Sequence, residues 1–453
     1  MRITPPTSAA AAPAGADSAA RSASRTGPSA APVRLDPRLA PIHLVEVECA
    51  DPPALRPAGS ATWEPVEPLQ VSGPVLALAR LHGSPIGLVR AQVDDPADAL
   101  ATVLAAARAE LGEDIRRRLR QPPGPAGPRT TGAPAAEKPM ISVVIATRER
   151  PEQLARCLES VARLRYRDYE VIVVDNAPAS GATERLVRER FGHLVEYVTE
   201  PRRGLAAAHN RGLAAATGEI VAFTDDDVIV DPDWLTALAA GFTGGDVGCV
   251  TGLILPAELD TAAQIMIETH GRFGKGFEQR RHSIREPGPD PLFPFTAGRF
   301  GSGANMAFRT RTLAELGGFD PATGAGSRAR GGDDLLAFFR TIAAGHTLVY
   351  QPEAVIWHYH GRTVEALERQ AYGYGVGFGA FLTAALVNEP RMLVPFLRRV
   401  PRGVIEAVTQ VRSRGQDTPG WPRELSWAQA RGLLYGPIAY ARSRRAVAAM
   451  ESP

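Results

Sequence analysis

Three adjacent carboxylates, Asp225-Asp226-Asp227, follow a short apolar run (EIVAF, residues 219–223) with only Thr224 between. An apolar strand running into three neighbouring negative charges is costly unless a cation is present. If the segment stays extended, alternate residues point the same way, so Asp225 and Asp227 can converge on one ion. A few oxygen ligands, completed by phosphate oxygens, suit Mg2+ or Mn2+. A cation held there works as a Lewis acid that neutralises a departing diphosphate. Asp226 then faces another part of the ligand, its ribose or sugar. The competing reading is a solvated acidic turn.

Other polar residues also stand where apolar runs stop. Asp175 ends YEVIVV (169–174) and can accept hydrogen bonds from a base or ribose; with Asn176 it would also make a turn or a helix cap. Thr147, Arg148 and Arg150 follow ISVVIA (141–146). Arginine there offers planar, multidentate contacts to base or phosphate, although any one of the three reads equally as a surface residue. Arg203-Gly204 precedes a helix whose N-terminal dipole favours anions. Asn210, within that helix, is either a ligand contact or a plain polar residue.

These residues need a scaffold that gathers them. From residue 141 to residue 242, short β-branched runs alternate with helical patterns. Strands are expected at 141–146, 169–174, 195–198 and 219–223. Helices are expected at 151–164, 181–191, 205–216 and 233–242. Alternation of this kind implies a mostly parallel sheet with helices on its faces. Such sheets bind ligands at the carboxyl ends of their strands, where Thr147, Asp175 and Asp225–Asp227 all fall.

Around this unit the composition changes. Residues 1–34 are Ala-, Pro- and Ser-rich and read as disordered, with neither a signal peptide nor a membrane anchor. Residues 35–120 read as a small α+β module: strands at 75–81 and 86–93 around a His82–Pro85 turn, then a helix from Asp95 to Leu119. It shows no catalytic constellation. A Pro/Gly linker spans 121–139, the α/β unit 140–365, and a helical, Arg-rich region 366–453.

In that last region, residues 370–388 carry no charge for nineteen positions, yet are Gly-, Tyr- and Ala-rich. Gly373/Gly377 and Gly375/Gly379 have the spacing for close helix contact, so a packed or interfacial helix is expected rather than a span. Between Arg391 and Arg445, eleven arginines face three acids. That excess suits peripheral contact with an anionic membrane; solvated helices packed on the catalytic unit are the alternative.

The 453 residues allow two or three domains, and a formal net charge of +2 gives no global argument for nucleic acid, which is not expected as a partner. Three scattered cysteines, Cys49, Cys157 and Cys249, indicate neither a disulfide framework nor a zinc site. They fit a cytoplasmic setting, with the inner face of a bacterial plasma membrane as the place of membrane contact.

Several segments together resemble family 2 glycosyltransferases of the GT-A fold: VVIATRERPEQLARCLESV, VIVVDNA, GLAAAHNRGLAAATGEIVAFTDDD and DPDWL, then GSGANMAFR (301–309), LGGFDP (316–321) and GGDDLLAFFR (331–340). Three acids alone are weak evidence, but the ordered set, over roughly 141–365, is specific. The resemblance implies a GT-A nucleotide-sugar transferase fold, Rossmann-like and mostly parallel. It implies an inverting, metal-dependent transfer from a nucleotide-diphosphate sugar to a hydroxyl acceptor that is a glycan, a lipid-linked molecule or a small molecule; the sequence does not identify the donor, and UDP- or TDP-linked sugars are the working expectation. Cell-envelope or polysaccharide synthesis is the setting it suggests.

In that pattern Asp225 and Asp227 match the metal-binding DXD motif and Asp175 the nucleotide-binding acid. The family usually has Glu-Asp where this chain has Asp333-Asp334, so Asp334 inherits the role of general base, with Asp333 beside it. A carboxylate near an acceptor hydroxyl can take its proton during attack, although the pair would equally open a helix over 335–343. A histidine after the base motif ligates the metal in some relatives; of His358 and His360, the former is taken as the ligand. Gly303 and Asn305 are expected to shape the acceptor side, and Trp357 is either a sugar platform or core. Two rival readings are a nucleotidyltransferase making an activated sugar and a non-catalytic nucleotide-sugar-binding protein. The first wants a Gly-rich loop where ATRERPEQL stands, and the second is disfavoured by the intact acids.

Overall fold

The computed structural model describes residues 35–63, 69–120, 138–271, 273–403, 405 and 422–451. The expected disorder over 1–34, most of the expected linker, and Arg412 and Arg414 of the basic tail lie outside the described residues.

The N-terminal unit is a sheet of β1 (His43–Glu48), β2 (Ala54–Pro57), β3 (Gly73–Leu81) and β4 (Ser84–Val93) in the order β2-β1-β3-β4. Helix α1 (Ala99–Leu119) buries Val103, Ala107 and Leu111 against it. The expected hairpin is there: His82 and Gly83 both take positive φ (52° and 80°), the backbone twist that two-residue hairpins favour. Sequence pattern did not reveal β1, because Glu46 interrupts its apolar run. Glu46 is fully buried, neutralised by Arg56 (2.8 Å) and by Arg80.

The second unit is built on one large mixed sheet, order β11-β13-β10-β12-β8-β5-β6-β7. The strands β5 (Ile141–Thr147), β6 (Tyr169–Asn176), β7 (Val195–Glu200) and β8 (Ile220–Asp225) pair in parallel, alternating with α2 (Pro151–Val161), α3 (Ala182–Leu186) and α4 (Leu205–Ala215). On β5, Val143 and Ile145 enter one core while Val144 enters the other. Burial on both faces is why this strand reads as a continuous apolar run. Beyond β8 come β9 (Val228–Val230), α5 (Trp234–Gly241), β10 (Val247–Pro256), α6 (Ala262–Gly271), β11 (Arg280–His282), β12 (Asn305–Arg309) and α7 (Thr310–Glu315). Strand β12 enters antiparallel between β8 and β10. Helix α8 (Asp333–Ala343) leads into β13 (Thr347–His358), which pairs with β10 in parallel and with β9 antiparallel.

The N-terminal sheet docks against β10 and β13 of this scaffold. Leu78 packs in a buried group with Leu253, Leu255, Val355 and Trp357, which makes Trp357 core rather than a sugar platform. Across the seam, Arg80 pairs with Asp231 at 2.7 Å, both side chains almost wholly buried. Asp231 is the residue immediately after β9.

Helix α9 (Val364–Asn388) carries the uncharged stretch and lies against α10 (Arg423–Glu451). A Cβ on Gly436 would stand 2.5 Å from the Gly379 Cα, so backbone meets backbone here. Of the two glycine pairs read from the sequence, Gly375/Gly379 serves this helix packing, whereas Gly373 faces open space and Gly377 meets Gly331 and Gly332; no described helix is long and apolar enough to cross a membrane. Gly332 (φ 87°) closes on the same helix, where a Cβ would come within 2.5 Å of the Gly377 carbonyl. Helix α9 therefore buttresses the turn that opens α8.

Candidate active site

Register explains how distant acids and a histidine meet. Strand β8 ends at Asp225 beside Ala146 of β5. The chain turns through Asp226 and Asp227 into β9, whose Val228 pairs with His358 at the end of β13. The Tyr359 N–H donates to the Asp227 carbonyl (3.0 Å), locking the two ends together. His358 Nε2 then lies 3.2 Å from Asp227 Oδ1 and 3.8 Å from Asp225 Oδ2. One ligand atom from each of Asp225, Asp227 and His358 falls within 4.8 Å of the others, and among the described residues this is the one such cluster. Two carboxylates and an imidazole suit a divalent cation that still needs ligands from a substrate.

The electrostatics fit the same cation. Burial and the charge of Asp227 push Asp225 up to about 7, with His358 pulling against them. Burial also opposes ionisation of Asp227, but the His358 hydrogen bond and charge, together with Arg150, hold it below the ordinary range. Burial likewise disfavours a charged His358, and the hydrogen bond and charge of Asp227 outweigh it, so His358 titrates above the usual imidazole value. A pair of close carboxylates with one partly protonated is what a divalent ion relieves on binding.

Behind His358 runs a short chain of contacts. Its Nδ1 lies 3.3 Å from His360 Nδ1, and His360 Nε2 lies 3.0 Å from Glu268 Oε2 on α6. The His360 ring is fully buried and stacks on Phe273, with centroids 5.0 Å apart. Such carboxylate-to-imidazole contacts fix the orientation of a ligating ring. The pairing of His360 with Glu268 carried no sequence signal, because 92 positions separate the two residues.

The expected nucleotide-binding residues separate into two groups. Asp175 is fully buried and accepts from the Tyr197 hydroxyl (2.8 Å). Burial raises its titration, opposed by that hydrogen bond. Its Oδ1 makes no hydrogen bond of good geometry, but the buried Thr183 hydroxyl, also unpaired, lies close enough to lower its titration. Arg148 and Arg203 are exposed on the loops after β5 and β7.

Several of the expected ligand groups are engaged within the protein. Asp226 turns back into the protein and accepts from Thr147 Oγ1 (2.7 Å), with Arg150 at 3.3 Å. Both it and Thr147 are buried, so they brace the acidic turn rather than offering free groups to ribose or sugar. Arg150, also 3.4 Å from Asp227, joins that brace. The Gly204 N–H donates to Asn176 Oδ1 (2.9 Å) and is not free for an anion. Asn210 spends both ends of its amide on the Phe319 backbone (2.8 Å each), so it pins a loop. The buried Asp333 carboxylate lies 3.5 Å from His209 Nδ1.

Asp334 faces the other way from Asp333. Its Oδ2 accepts from the Gly303 N–H (2.9 Å) and its Oδ1 from the Leu335 N–H (2.8 Å). Burial and the neighbouring charge of Asp333 push it up to about 6, partly offset by those two hydrogen bonds. It shares its surroundings with the cation cluster: buried His209 lowers both Asp225 and Asp334, and both acids help to raise the Tyr374 phenol. Gly303 thus positions Asp334. Asn305 holds the backbone carbonyls of Leu253 and Ala354 and receives the Trp234 indole N–H, a core role rather than an acceptor contact.

Three further residues were missed in the sequence. His209 is wedged between Phe223 and Phe319, and an Ala-rich helix gave no hint of it. Glu149, at φ 55°, accepts from Ala179 N, Ser180 N and Ser180 Oγ, tying the loops after β5 and β6 together. Tyr374 approaches the site from α9.

Residues 142–306 match the Glycosyl transferase family 2 model. A pre-mycofactocin glycosyltransferase of Mycobacterium tuberculosis is 28% identical over 327 residues, 70% of this chain and 62% of that protein. This chain therefore spans about three fifths of that relative's length. A glucosyl-dolichyl phosphate glucuronosyltransferase of Haloferax volcanii is 26% identical over 196 residues, 41% of this chain and 57% of its own. Among solved structures, a mannosyltransferase from Pyrobaculum calidifontis in complex with GDP-Man and Mn2+ is 20% identical and aligns over 75% of this chain and 96% of that one, with a TM-score of 0.42.

Proposed function

We propose, from the premise that residues 142–306 form a family 2 glycosyltransferase domain of GT-A fold, that this chain moves a sugar from a nucleoside-diphosphate sugar to a hydroxyl acceptor. The observation that carries the reading is the convergence of Asp225, Asp227 and His358, with Asp334 linked to them through their common neighbours His209 and Tyr374. When bound, a divalent cation supplies charge neutralisation for the leaving diphosphate. Because imidazole is a softer ligand than water or carboxylate, the set favours Mn2+ over Mg2+.

The chain's own residues do the rest. Asp175 Oδ1 accepts from the base or ribose of the donor. Asp334 accepts the proton of the acceptor hydroxyl as its oxygen forms the new bond to the anomeric carbon. The bond from that carbon to the diphosphate breaks in the same displacement, so the configuration inverts. A carboxylate poised near 6 is ionised at neutral pH yet basic enough to share the proton in the transition state. UDP- and TDP-sugars are the donors proposed, with a glycan, lipid-linked or small-molecule hydroxyl as acceptor.

The test is a donor-hydrolysis screen across nucleotide sugars, with and without Mn2+, run beside Asp225→Ala. The expected result is turnover of one donor class that needs the metal and vanishes in the variant. Turnover by Asp225→Ala equal to that of the parent would remove the basis of the proposal.

A further inference from the structure

The far side of α10 carries a pattern that the transfer chemistry does not use. One face of this helix is packed: Leu425, Ala439, Tyr440 and Ser443 are buried, and Gly432 and Gly436 lie against α9. The other face is open. Trp427, Leu434 and Ile438 are 71%, 79% and 50% exposed. Their spacing of seven and four residues puts them on one stripe, and Arg431 and Arg445 fall on the same stripe. Exposed Arg442 and Arg444 flank it.

The short helical stretch at 393–403 repeats the arrangement. Leu393, Val394 and Leu397 are 45% to 57% exposed, whereas Met392 is buried and Phe396 packs onto Phe295. Arg391, Arg398 and Arg402 are exposed beside them. Across residues 391–403 and 423–450 there are nine arginines and one acid, Glu424.

We propose that these two exposed faces form a docking surface for an anionic lipid bilayer. Large apolar side chains left in water on a packed helix call for a cover. An exposed Trp with Leu and Ile, set among arginines, is the composition of helices that lie at a membrane interface. The charge selects the occupant. A second copy of this chain would bring arginines against arginines, whereas anionic headgroups complement them. The apolar residues enter the headgroup boundary and the guanidinium groups bind lipid phosphates. This surface is independent of the transferase reading, and its test does not use a donor.

Co-sedimentation of the full chain with vesicles of phosphatidylcholine alone, or with phosphatidylglycerol added, tests it. Binding is expected to the anionic vesicles and not to the neutral ones, and to fall with added salt. Each arginine near an anionic surface contributes roughly fivefold in partitioning, so Arg431→Glu with Arg445→Glu should weaken binding by about twentyfold or more. Trp427→Ala with Leu434→Ser and Ile438→Ser should lose it as well. All five side chains are exposed, so circular dichroism and melting temperature should stay at parental values, and donor hydrolysis in solution should be unchanged. Equal partition onto both kinds of vesicle, or onto neither, overturns the proposal. So does undiminished binding by both variants. Light scattering that shows a parental dimer split by these substitutions would assign the stripe to self-association instead.

Discussion

Replacing Asp334 by Asn separates its catalytic use from its structural cost. The carboxyl titrates at about 6, against an ordinary 3.8. The difference of roughly two pH units corresponds to about 3 kcal/mol of unfavourable free energy when the group is held ionised in the folded protein. The sign follows from proton binding. The folded state holds this proton more tightly than the unfolded chain, so between about pH 4 and pH 6 the contribution of Asp334 to stability declines as pH rises. Above pH 6 the whole cost is present. Asn keeps an oxygen for the Gly303 N–H but carries no charge beside Asp333. In EDTA, Asp334→Asn should therefore melt a few degrees above the parent at pH 8, and the advantage should shrink towards pH 4. Transfer should fall by about 10²- to 10⁴-fold, the usual worth of a general base, while donor binding persists. In the parent, transfer should decline as pH drops through 6. The reasoning is refuted if the Asn variant transfers at full rate, or if it melts below the parent at pH 8. The second result would mean that the charge serves α8 as a first-turn anion and costs nothing.

Two further perturbations probe what surrounds the site. Glu268→Gln and His360→Gln should each weaken Mn2+ binding by about 10- to 100-fold, as loss of an outer partner of a ligating imidazole does; titration followed by electron paramagnetic resonance reads this directly, and unchanged affinity would leave His358 oriented by packing alone. Arg80→Met strands the buried Asp231 and leaves the buried Glu46 paired with Arg56 alone, and should cost about 3 to 5 kcal/mol. Denaturant unfolding should show that loss, with partial recovery when Asp231→Asn is added, and a parental midpoint for the single variant would rule out a coupling of the N-terminal sheet to the strand behind the acidic turn.

Much of the scaffold was legible because β5, β6 and β8 are buried on both faces. Their apolar runs end where solvent and polar groups begin, so strand ends and candidate ligands were found together. Residues 73–93 were legible for a different reason: a two-residue turn between β-rich runs leaves one pairing open. Strands β1 and β2 were not, because a buried Glu46 looks like a surface residue until Arg56 and Arg80 are seen around it. The exposed stripe of α10 was visible only as an excess of arginine; which apolar residues stay in water depends on how α9 covers the other face.

The sequence alone determined which acids stand at strand ends, and that Asp225 and Asp227 alternate about Asp226. Only the tertiary structure decided where each group points. The turn after β8 swings Asp226 back onto Thr147, Gly332 lets α8 begin with Asp333 inward and Asp334 outward, and the pairing of Val228 with His358 carries an imidazole across 131 positions of chain to the acids. Local pattern encodes burial and period, which each segment feels by itself. Orientation at a site depends on register between segments distant in sequence, and that exists only once the sheet has closed around them.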